Sequence, residues 1–198
     1  MDVGLHKLLL EGPPRIGKTT VVRRLIALLQ QANLPVGGFT TRELRERGHR
    51  VGFLAEDING GAAVIAHVDW TSGPAVGRYH VDGSAFEEVA LPALQRALEQ
   101  GGVVVLDELG RMELASTAFV NAVHQLFNRD ATLVATVHVV AHPVTDGLKQ
   151  RPDVQTVEVT RENRNELPRR LSESVMRDVA RRGLLPQPQP LDPSSPSS

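Results

Sequence analysis

Cysteine is absent from the 198-residue sequence, and aromatic residues make up only 4% of it. Without a thiol the chain forms no disulfide, has no thiolate nucleophile and builds no cysteine metal site, which leaves its compartment open. The net charge is only −1, so no overall field attracts the chain to nucleic acid or to a membrane. No apolar run has the length of a membrane span, and the N-terminal segment lacks the apolar core of a secretory signal. These absences favour a cytoplasmic enzyme or switch.

The sequence does contain strand and helix patterns in alternation. Apolar, often β-branched runs predict four buried strands, at residues 5–10 and in "VVVLDELG", "ATLVATV" and "VQTVEV". Amphipathic stripes between them predict helices, and "GFTTRELRERGHRVGF" predicts a hairpin that turns near Gly48. Strands that alternate with helices are typical of the α/β class. We therefore predict a mostly parallel central sheet with helices on both faces, plus a small antiparallel hairpin.

The boundaries of helices and domains carry weaker signals. Ser84 and Glu87 form a capping-box pattern that predicts the start of a helix, and Pro92 predicts a kink or a restart within it. We predict one domain over residues 1–183, acting as a monomer. Residues 184–198 are rich in proline and serine with almost nothing to bury, so we expect a disordered tail.

"EGPPRIGKTT", residues 11–20, lies between the first predicted strand and an amphipathic helix. It fits the phosphate-binding (Walker A) pattern G-x-x-x-x-G-K-[ST] in the strand–loop–helix context that this pattern requires. Backbone N–H groups of the loop and the positive end of the helix are expected to surround phosphates. Lys18 is then placed to contact the β- and γ-phosphates, and the Thr19 hydroxyl to hold Mg²⁺, the expected cofactor. The predicted nucleotide-binding residues of this loop are Gly12, Pro13, Pro14, Arg15, Ile16, Gly17, Lys18, Thr19 and Thr20.

Acidic residues end the predicted strand "VVVLDELG" and suit the second half of such a site (Walker B). Asp107 is expected to be the second Mg²⁺ partner, and Glu108 is placed to accept a proton from, or to orient, a water that attacks the γ-phosphate. Arg111 is a candidate to stabilise the charge of the transition state. Glu113 has two possible roles: it orients the side chain of Arg111 or Lys18, or it simply begins the next helix. By analogy, an acid beside the Mg²⁺ acid favours the hydrolytic branch of these folds.

Four sequence blocks occur in the order found in one known family: "GFTTRELRERGHRVGF", "VGRYHVDGSAFEEVALPAL", "VVVLDELGRMEL" and "VEVTRENRNEL". Over about residues 5–170 the chain resembles the thermophilic nucleoside-triphosphatases, also described as cancer-related nucleoside-triphosphatases. The resemblance implies a single P-loop NTPase domain and Mg²⁺-dependent hydrolysis of triphosphates such as ATP and GTP, with loose base selectivity. It also implies the roles given above to Lys18, Thr19, Asp107 and Glu108.

Arg15 departs from the family pattern, which usually has glycine at this position of the loop. Glycine suits a position with positive φ or close backbone approach to phosphate, and another residue held there costs about 1–2 kcal/mol. The side chain also adds a cation beside the phosphates, which can strengthen ground-state binding without raising turnover. We therefore expect nucleotide binding and leave the rate of hydrolysis open.

Several features leave alternatives. A nucleotide or polynucleotide kinase shares these motifs, as does a slow nucleotide-gated switch that acts through a partner. Four arginines within residues 42–50 would suit RNA, although a solvated hairpin explains them better because no aromatic residue interleaves. His138 and His142 lack a third metal ligand. Asn163 and Arg164, after the last predicted strand, are candidates to contact the nucleotide base, and capping of the final helix is the other explanation of Asn163.

Overall fold

The structure, a computed structural model, describes residues 7–183 of the chain as nine strands and five helices, with five strands in succession between the first and second helices. The strands are β1 (Lys7–Glu11), β2 (Val36–Glu46), β3 (His49–Asp57), β4 (Ala62–His67), β5 (Ala75–Val76), β6 (Tyr79–Val81), β7 (Val103–Leu109), β8 (Thr132–Val137) and β9 (Val154–Glu158). The helices are α1 (Lys18–Gln31), α2 (Gly83–Glu99), α3 (Thr117–Phe127), α4 (Pro143–Lys149) and α5 (Leu167–Arg181), with a 3₁₀ turn at Glu113–Ala115. None of these helices is long and apolar enough to cross a membrane. The tail predicted at residues 184–198 lies outside the described residues, so the predicted domain boundary stays a prediction.

The strands form one mixed sheet in the order β5-β6-β4-β3-β2-β7-β8-β1-β9. Neighbours within the run β2-β7-β8-β1-β9 are parallel, whereas all pairs from β2 outward to β5 are antiparallel. Strand β8 is buried along its whole length, as expected of a parallel strand covered on both faces. The predicted fold class is confirmed. The antiparallel part is larger than the predicted hairpin because β4, β5 and β6 extend it, and these segments are too short to show a clear period.

Helices cover both faces of the sheet because successive side chains of a strand point to opposite faces. In β1, Leu9 packs in the core that α2 and α3 cover, together with Phe86 and Phe119. Leu8 and Leu10 pack in the second core, which α1 and α5 cover. The parallel strands are therefore held from both sides, and this fixes the relative positions of the loops that follow them.

Helix α2 begins at a different cap from the predicted one. Asp82 is the N-cap, and its Oδ1 accepts a hydrogen bond of 3.0 Å from the backbone N–H three residues later. The predicted pairing of Ser84 with Glu87 is wrong: Ser84 donates to Asp82 at 2.6 Å, and Glu87 accepts from Ser116 at 2.6 Å. An aspartate carboxylate satisfies the first turn of the helix without a reciprocal partner. The helix runs unbroken through Pro92, so the restart predicted as one alternative does not occur.

The carboxyl ends of β1, β7 and β8 meet at one edge of the sheet. The register shows this directly, because Glu11 of β1 and Leu109 of β7 both pair with Val137 at the end of β8. The phosphate-binding loop follows β1, the acidic pair ends β7, and His138 follows β8. In open α/β sheets, ligands bind in the crevice outside this edge.

Candidate active site

The loop between β1 and α1 is closed on itself around Lys18. Gly12 is tightly surrounded, since a Cβ at this position would lie 2.9 Å from Ile16 Cγ2 and 3.1 Å from the Val159 carbonyl oxygen. Gly17 is the N-cap of α1 with a φ of 116°, a conformation that favours glycine. Lys18 is buried, and its Nζ donates to the Gly12 carbonyl at 2.9 Å. Helix α1 has no side-chain cap and no acid in its first turn, so its first N–H groups are available to an anion.

Arg15 lies in the left-handed region of the backbone, with a φ of 65°. The prediction that this position requires a glycine-like conformation is confirmed. The side chain is exposed, and within residues 7–183 it makes no hydrogen bond or ion pair. Its positive charge therefore stands uncompensated at the mouth of the loop.

Asp107 is completely buried near the end of β7, beside the loop. Its Oδ1 accepts a hydrogen bond of 2.7 Å from Thr136, whereas Oδ2 is buried with no hydrogen-bond partner in the described part of the chain. Burial raises the pKa of Asp107 to about 6, and the hydroxyls of Thr136 and Thr19 oppose this rise. A carboxylate oxygen without a partner next to a threonine hydroxyl fits a hard cation such as Mg²⁺. No group of three or more His, Asp or Glu residues in the described range could hold a metal ion by itself, and Mg²⁺ usually needs none when substrate phosphates complete its shell.

Glu108 lies between two basic side chains. Its Oε1 is 2.5 Å from Nε2 of His138, and its Oε2 is 3.5 Å from Nζ of Lys18. Burial acts to raise the pKa of Glu108, but the hydrogen bond from His138 and the charge of Lys18 outweigh it, so the pKa lies below its ordinary value. The carboxylate is therefore ionised and held from both sides.

His138 is the site residue that sequence reasoning missed. The sequence analysis considered it only as half of a histidine metal pair with His142, which it disfavoured because no third ligand was apparent. In the structure the two histidines have separate contacts. His142 is the N-cap of α4, and its Nδ1 accepts from the backbone N–H of Val144 at 3.3 Å. Its position in the sequence could have identified it, because His138 directly follows a buried strand, and the neighbouring parallel strand ends in the acidic pair.

Glu113 begins the 3₁₀ turn and orients neither Arg111 nor Lys18. It is buried, and its Oε2 accepts from the backbone N–H of Gly110 at 3.1 Å. Burial first, and then the charge of Glu108, raise the pKa of Glu113 to about 8. Arg111 is exposed on the same loop and has no hydrogen bond or ion pair with any residue that the structure describes.

The two residues suggested as base contacts behave differently from each other. Arg164 reaches the phosphate-binding loop, where its Nη1 donates to the Ile16 carbonyl at 3.0 Å. Both polar groups of the Asn163 side chain are used within its own turn: Oδ1 accepts from the Thr160 N–H at 2.9 Å, and Nδ2 donates to the Glu158 carbonyl at 2.8 Å. The N-cap of α5 is the residue at position 166 and has no side-chain bond, so capping of that helix by Asn163 is wrong.

A cavity of about 850 Å³ lies beside the phosphate-binding loop, Glu108 and His138. Its walls come from the phosphate-binding loop with the start of α1, from the loop after β7, from the loop after β8 with α4, and from the β2–β3 hairpin with β5. The lining residues include Arg15, Lys18, Thr19, Thr20, Glu108, Arg111, Glu113 and His138. Lys18, Thr19, Glu108, Arg111 and His138 thus face one common space, whereas Asp107, Asn163 and Arg164 do not line it.

A family model described as NTPase matches residues 7–172 of the chain, including the phosphate-binding loop, the acidic pair and His138. The chain belongs to the nucleoside-triphosphatase family. The expected resemblance is confirmed, and this nucleoside-triphosphatase is an enzyme of a hydrolase family.

Similar proteins come from bacteria, archaea and animals. The chain is 37% identical to the nucleoside-triphosphatase THEP1 of Thermotoga sp. (strain RQ2), over 81% of this chain and 90% of that protein. It is 36% identical to the cancer-related nucleoside-triphosphatase of Homo sapiens, over 80% of this chain and 90% of that protein. The crystal structure of THEP1 from Aquifex aeolicus superposes with a TM-score of 0.76 at 30% identity, covering 85% of this chain and 98% of that one. Sequence and fold therefore agree on the family.

Proposed function

We propose that this enzyme hydrolyses Mg²⁺-bound nucleoside 5′-triphosphates, ATP and GTP among them, to diphosphate and phosphate. The observation that carries the proposal is the position of Glu108, an ionised carboxylate held between His138 and Lys18 at the cavity. A water on Glu108 would face a γ-phosphate bound at Lys18. Hydrolysis needs this arrangement, whereas mere nucleotide binding does not.

The phosphates would lie on the loop of residues 12–20, against the uncapped N-terminus of α1. Lys18 would contact the β- and γ-phosphates, and Thr19 and Asp107 would hold Mg²⁺. When bound, Mg²⁺ supplies positive charge that neutralises the β- and γ-phosphate oxygens. Contacts from backbone N–H groups and from lysine do not distinguish bases, which supports loose base selectivity. Arg164, which is bonded to the loop, and Asn163 in the same turn are the proposed contacts on the base side.

The main role of Glu108 would be to orient the attacking water by accepting a hydrogen bond from it. Removing the proton of that water before the attack would be a lesser role. A carboxylate whose pKa lies below the ordinary value is a weak base, but it accepts hydrogen bonds well. Arg111, which lines the cavity without a partner in the described residues, would stabilise the charge of the transferring phosphate. Arg15 would contribute to ground-state binding.

The test is release of phosphate from ATP, GTP, CTP and UTP by the purified enzyme, with Mg²⁺ and with EDTA. We expect release that requires Mg²⁺, similar rates for the four bases, and a loss of roughly 10²-fold or more in Glu108→Gln with triphosphate binding retained. Glu99→Gln, on the exposed end of α2, is the matched control and should behave as the wild type. Equal rates in both variants would refute the role of Glu108.

The arginines at residues 42–50 lend no support to an RNA partner. Arg42 pairs with Glu56 at 2.9 Å, whereas Arg45 and Arg50 pair with Glu43 at 2.6 and 2.8 Å. Three of the four arginines thus pair with glutamates of the same hairpin, as in the solvated hairpin that the sequence favoured. The cytoplasmic location and the monomeric state stay predictions.

A further inference from the structure

The cavity extends to the side of the phosphate-binding loop opposite the proposed base contacts. Arg164 lies against the loop from the β9 side of the sheet, and neither it nor any other residue after position 145 lines the cavity. From Lys18 and Thr19 the cavity passes Glu108 and reaches the β2–β3 hairpin, across β8 and β7 in the sheet order. A triphosphate bound as proposed would direct its γ-phosphate toward this space. Its volume, about 850 Å³, is that of a pocket for a whole small molecule.

The far side of the cavity, which we call the hairpin wall, combines apolar and cationic side chains. It consists of Thr41, Arg42, Glu43, Arg50, Phe53 and Val76. Phe53 and Val76 offer an apolar surface to a planar ring, while Arg42 and Arg50 offer positive charge to an anion. This is the chemistry that recognises a nucleotide.

Arg50 is held in place before any ligand arrives. Its guanidinium lies 5.1 Å from the centre of the Phe53 ring and 5.6 Å from that of Tyr79. Nε donates to the Tyr79 hydroxyl at 2.8 Å and Nη1 to Glu43 at 2.8 Å, whereas Nη2 donates to no residue that the structure describes. A fixed guanidinium with a free N–H edge loses little freedom on binding a phosphate.

Positive charge exceeds negative charge around the whole cavity. The lining contains six lysine and arginine residues, on the loop, α1, the hairpin and the loop after β7, against three glutamates. Arg15 and Arg111 have no partner within residues 7–183, and both face the same space. One triphosphate with its Mg²⁺ would not contact Arg42 and Arg50 of the hairpin wall, because the phosphate-binding loop already surrounds its phosphates.

We propose that the hairpin wall binds a nucleoside monophosphate beside the γ-phosphate, and that this nucleotide accepts the phosphoryl group in place of water. The ring would pack on Phe53 and Val76, and the phosphate would contact Arg42, Arg50 and Arg111. A phosphate oxygen of the monophosphate attacks the γ-phosphorus, and the bond from that phosphorus to the β–γ bridging oxygen breaks. Triphosphate and monophosphate give two diphosphates, and no proton is transferred. The proposal rests on the triphosphate site proposed above.

The test uses ATP labelled at the γ-phosphate, Mg²⁺ and each of AMP, GMP, CMP and UMP with the full-length enzyme. Labelled diphosphate and labelled inorganic phosphate are separated and measured in the same reaction. We expect labelled diphosphate that saturates with at least one monophosphate and that is absent from an identically purified Lys18→Ala preparation, which controls for contaminating kinases.

Two arginines of the same strand form a matched pair. The side chains of Arg42 and Arg45 are 50% and 57% exposed and each makes one ion pair, but only Arg42 lines the cavity. Arg42→Gln should lower kcat/KM for the monophosphate about tenfold, as expected for loss of one charged contact, and Arg45→Gln should leave it unchanged. Val76→Glu places a negative charge on the hairpin wall, which repels the negatively charged monophosphate. It should have the same effect as Arg42→Gln.

The amounts of labelled diphosphate and labelled phosphate distinguish failure of this proposal from failure of the proposed hydrolysis. Labelled phosphate without labelled diphosphate at millimolar levels of all four monophosphates would overturn this proposal and leave the proposed hydrolysis intact. Labelled diphosphate without phosphate would instead contradict the hydrolysis. Equal transfer by Arg42→Gln and Arg45→Gln, or transfer only to the 5′-phosphate of an RNA oligonucleotide, would show that the hairpin wall does not bind a monophosphate.

Discussion

Replacing the buried Glu113 by glutamine should stabilise the protein above neutral pH. The Glu113 carboxyl is enclosed at the start of the 3₁₀ turn and accepts a hydrogen bond of 3.1 Å from the Gly110 N–H. Glutamine has nearly the same volume, and its amide oxygen can accept that bond. The substitution therefore removes the titration of the side chain and little else.

The magnitude follows from the raised pKa of Glu113. The pKa changes from an ordinary value of 4.5 to about 8 on folding, so between these values the folded state keeps a proton that the unfolded chain releases. The free energy of unfolding therefore falls as pH rises from 4.5 to about 8, and the stability that the neutral carboxyl provides is fully present below pH 4.5. At about 1.4 kcal/mol per pKa unit, the loss between pH 5 and pH 8 is about 3–4 kcal/mol. Glu113→Gln has no such loss.

Chemical denaturation at pH 5, 7 and 8, in EDTA and without nucleotide, measures this difference. The two proteins should have similar free energies of unfolding at pH 5, and the variant should be more stable by about 3 kcal/mol at pH 8. Glu99→Gln, on the exposed end of α2, controls for the loss of an acid as such and should follow the wild type. A difference between Glu113→Gln and the wild type that does not change with pH would refute the reasoning, because it would mean that Glu113 is ionised in the folded state.

Three further substitutions test the site. Lys18→Ala should abolish turnover and weaken triphosphate binding, because it removes the charge that faces the β- and γ-oxygens; wild-type affinity and rate would show that the loop has no function. His138→Ala should lower kcat roughly tenfold with KM for triphosphate nearly unchanged, since Glu108 loses the hydrogen bond that positions it; a rise in KM alone would make His138 a binding residue. Arg15→Gly should leave the melting temperature level or slightly higher, because relief of about 1 kcal/mol of backbone strain is partly offset by the unfolded-state entropy of glycine. It should also weaken triphosphate binding modestly and raise turnover; a tenfold fall in turnover at constant affinity would make Arg15 catalytic.

The sequence by itself determined the features that depend on residues close together in the chain. The spacing of Gly12, Gly17 and Lys18 specifies a closed loop at a helix N-terminus, since tight backbone packing and positive φ restrict the residue types at each position. The same argument identified Arg15 as a residue in a glycine-like conformation, and its φ of 65° confirms this. Alternating apolar runs and helical stripes were enough for the α/β class, because buried parallel strands have few polar residues.

Residue preferences for helix capping did not identify the correct N-cap of helix α2. At the start of α2 the sequence analysis predicted a cap at Ser84, whereas the N-cap in the structure is Asp82, two residues earlier. Both residue types are good caps, so propensity does not choose between them. The choice followed from packing, because Glu87 bonds Ser116 across to α3 and is not free to complete the box.

Only the tertiary structure decided which distant side chains act together. His138 lies 30 positions from Glu108 in the sequence, and the two meet at 2.5 Å because β7 and β8 are parallel neighbours that end at the same edge. The raised pKa of Glu113 depends on burial and on the charge of Glu108, neither of which a residue type reveals. Arg50 and Phe53 line the same cavity as Glu108 only because the hairpin carries them to its opposite wall. Distances between chain segments depend on the packing of the whole sheet, and residue spacing along the chain does not contain them.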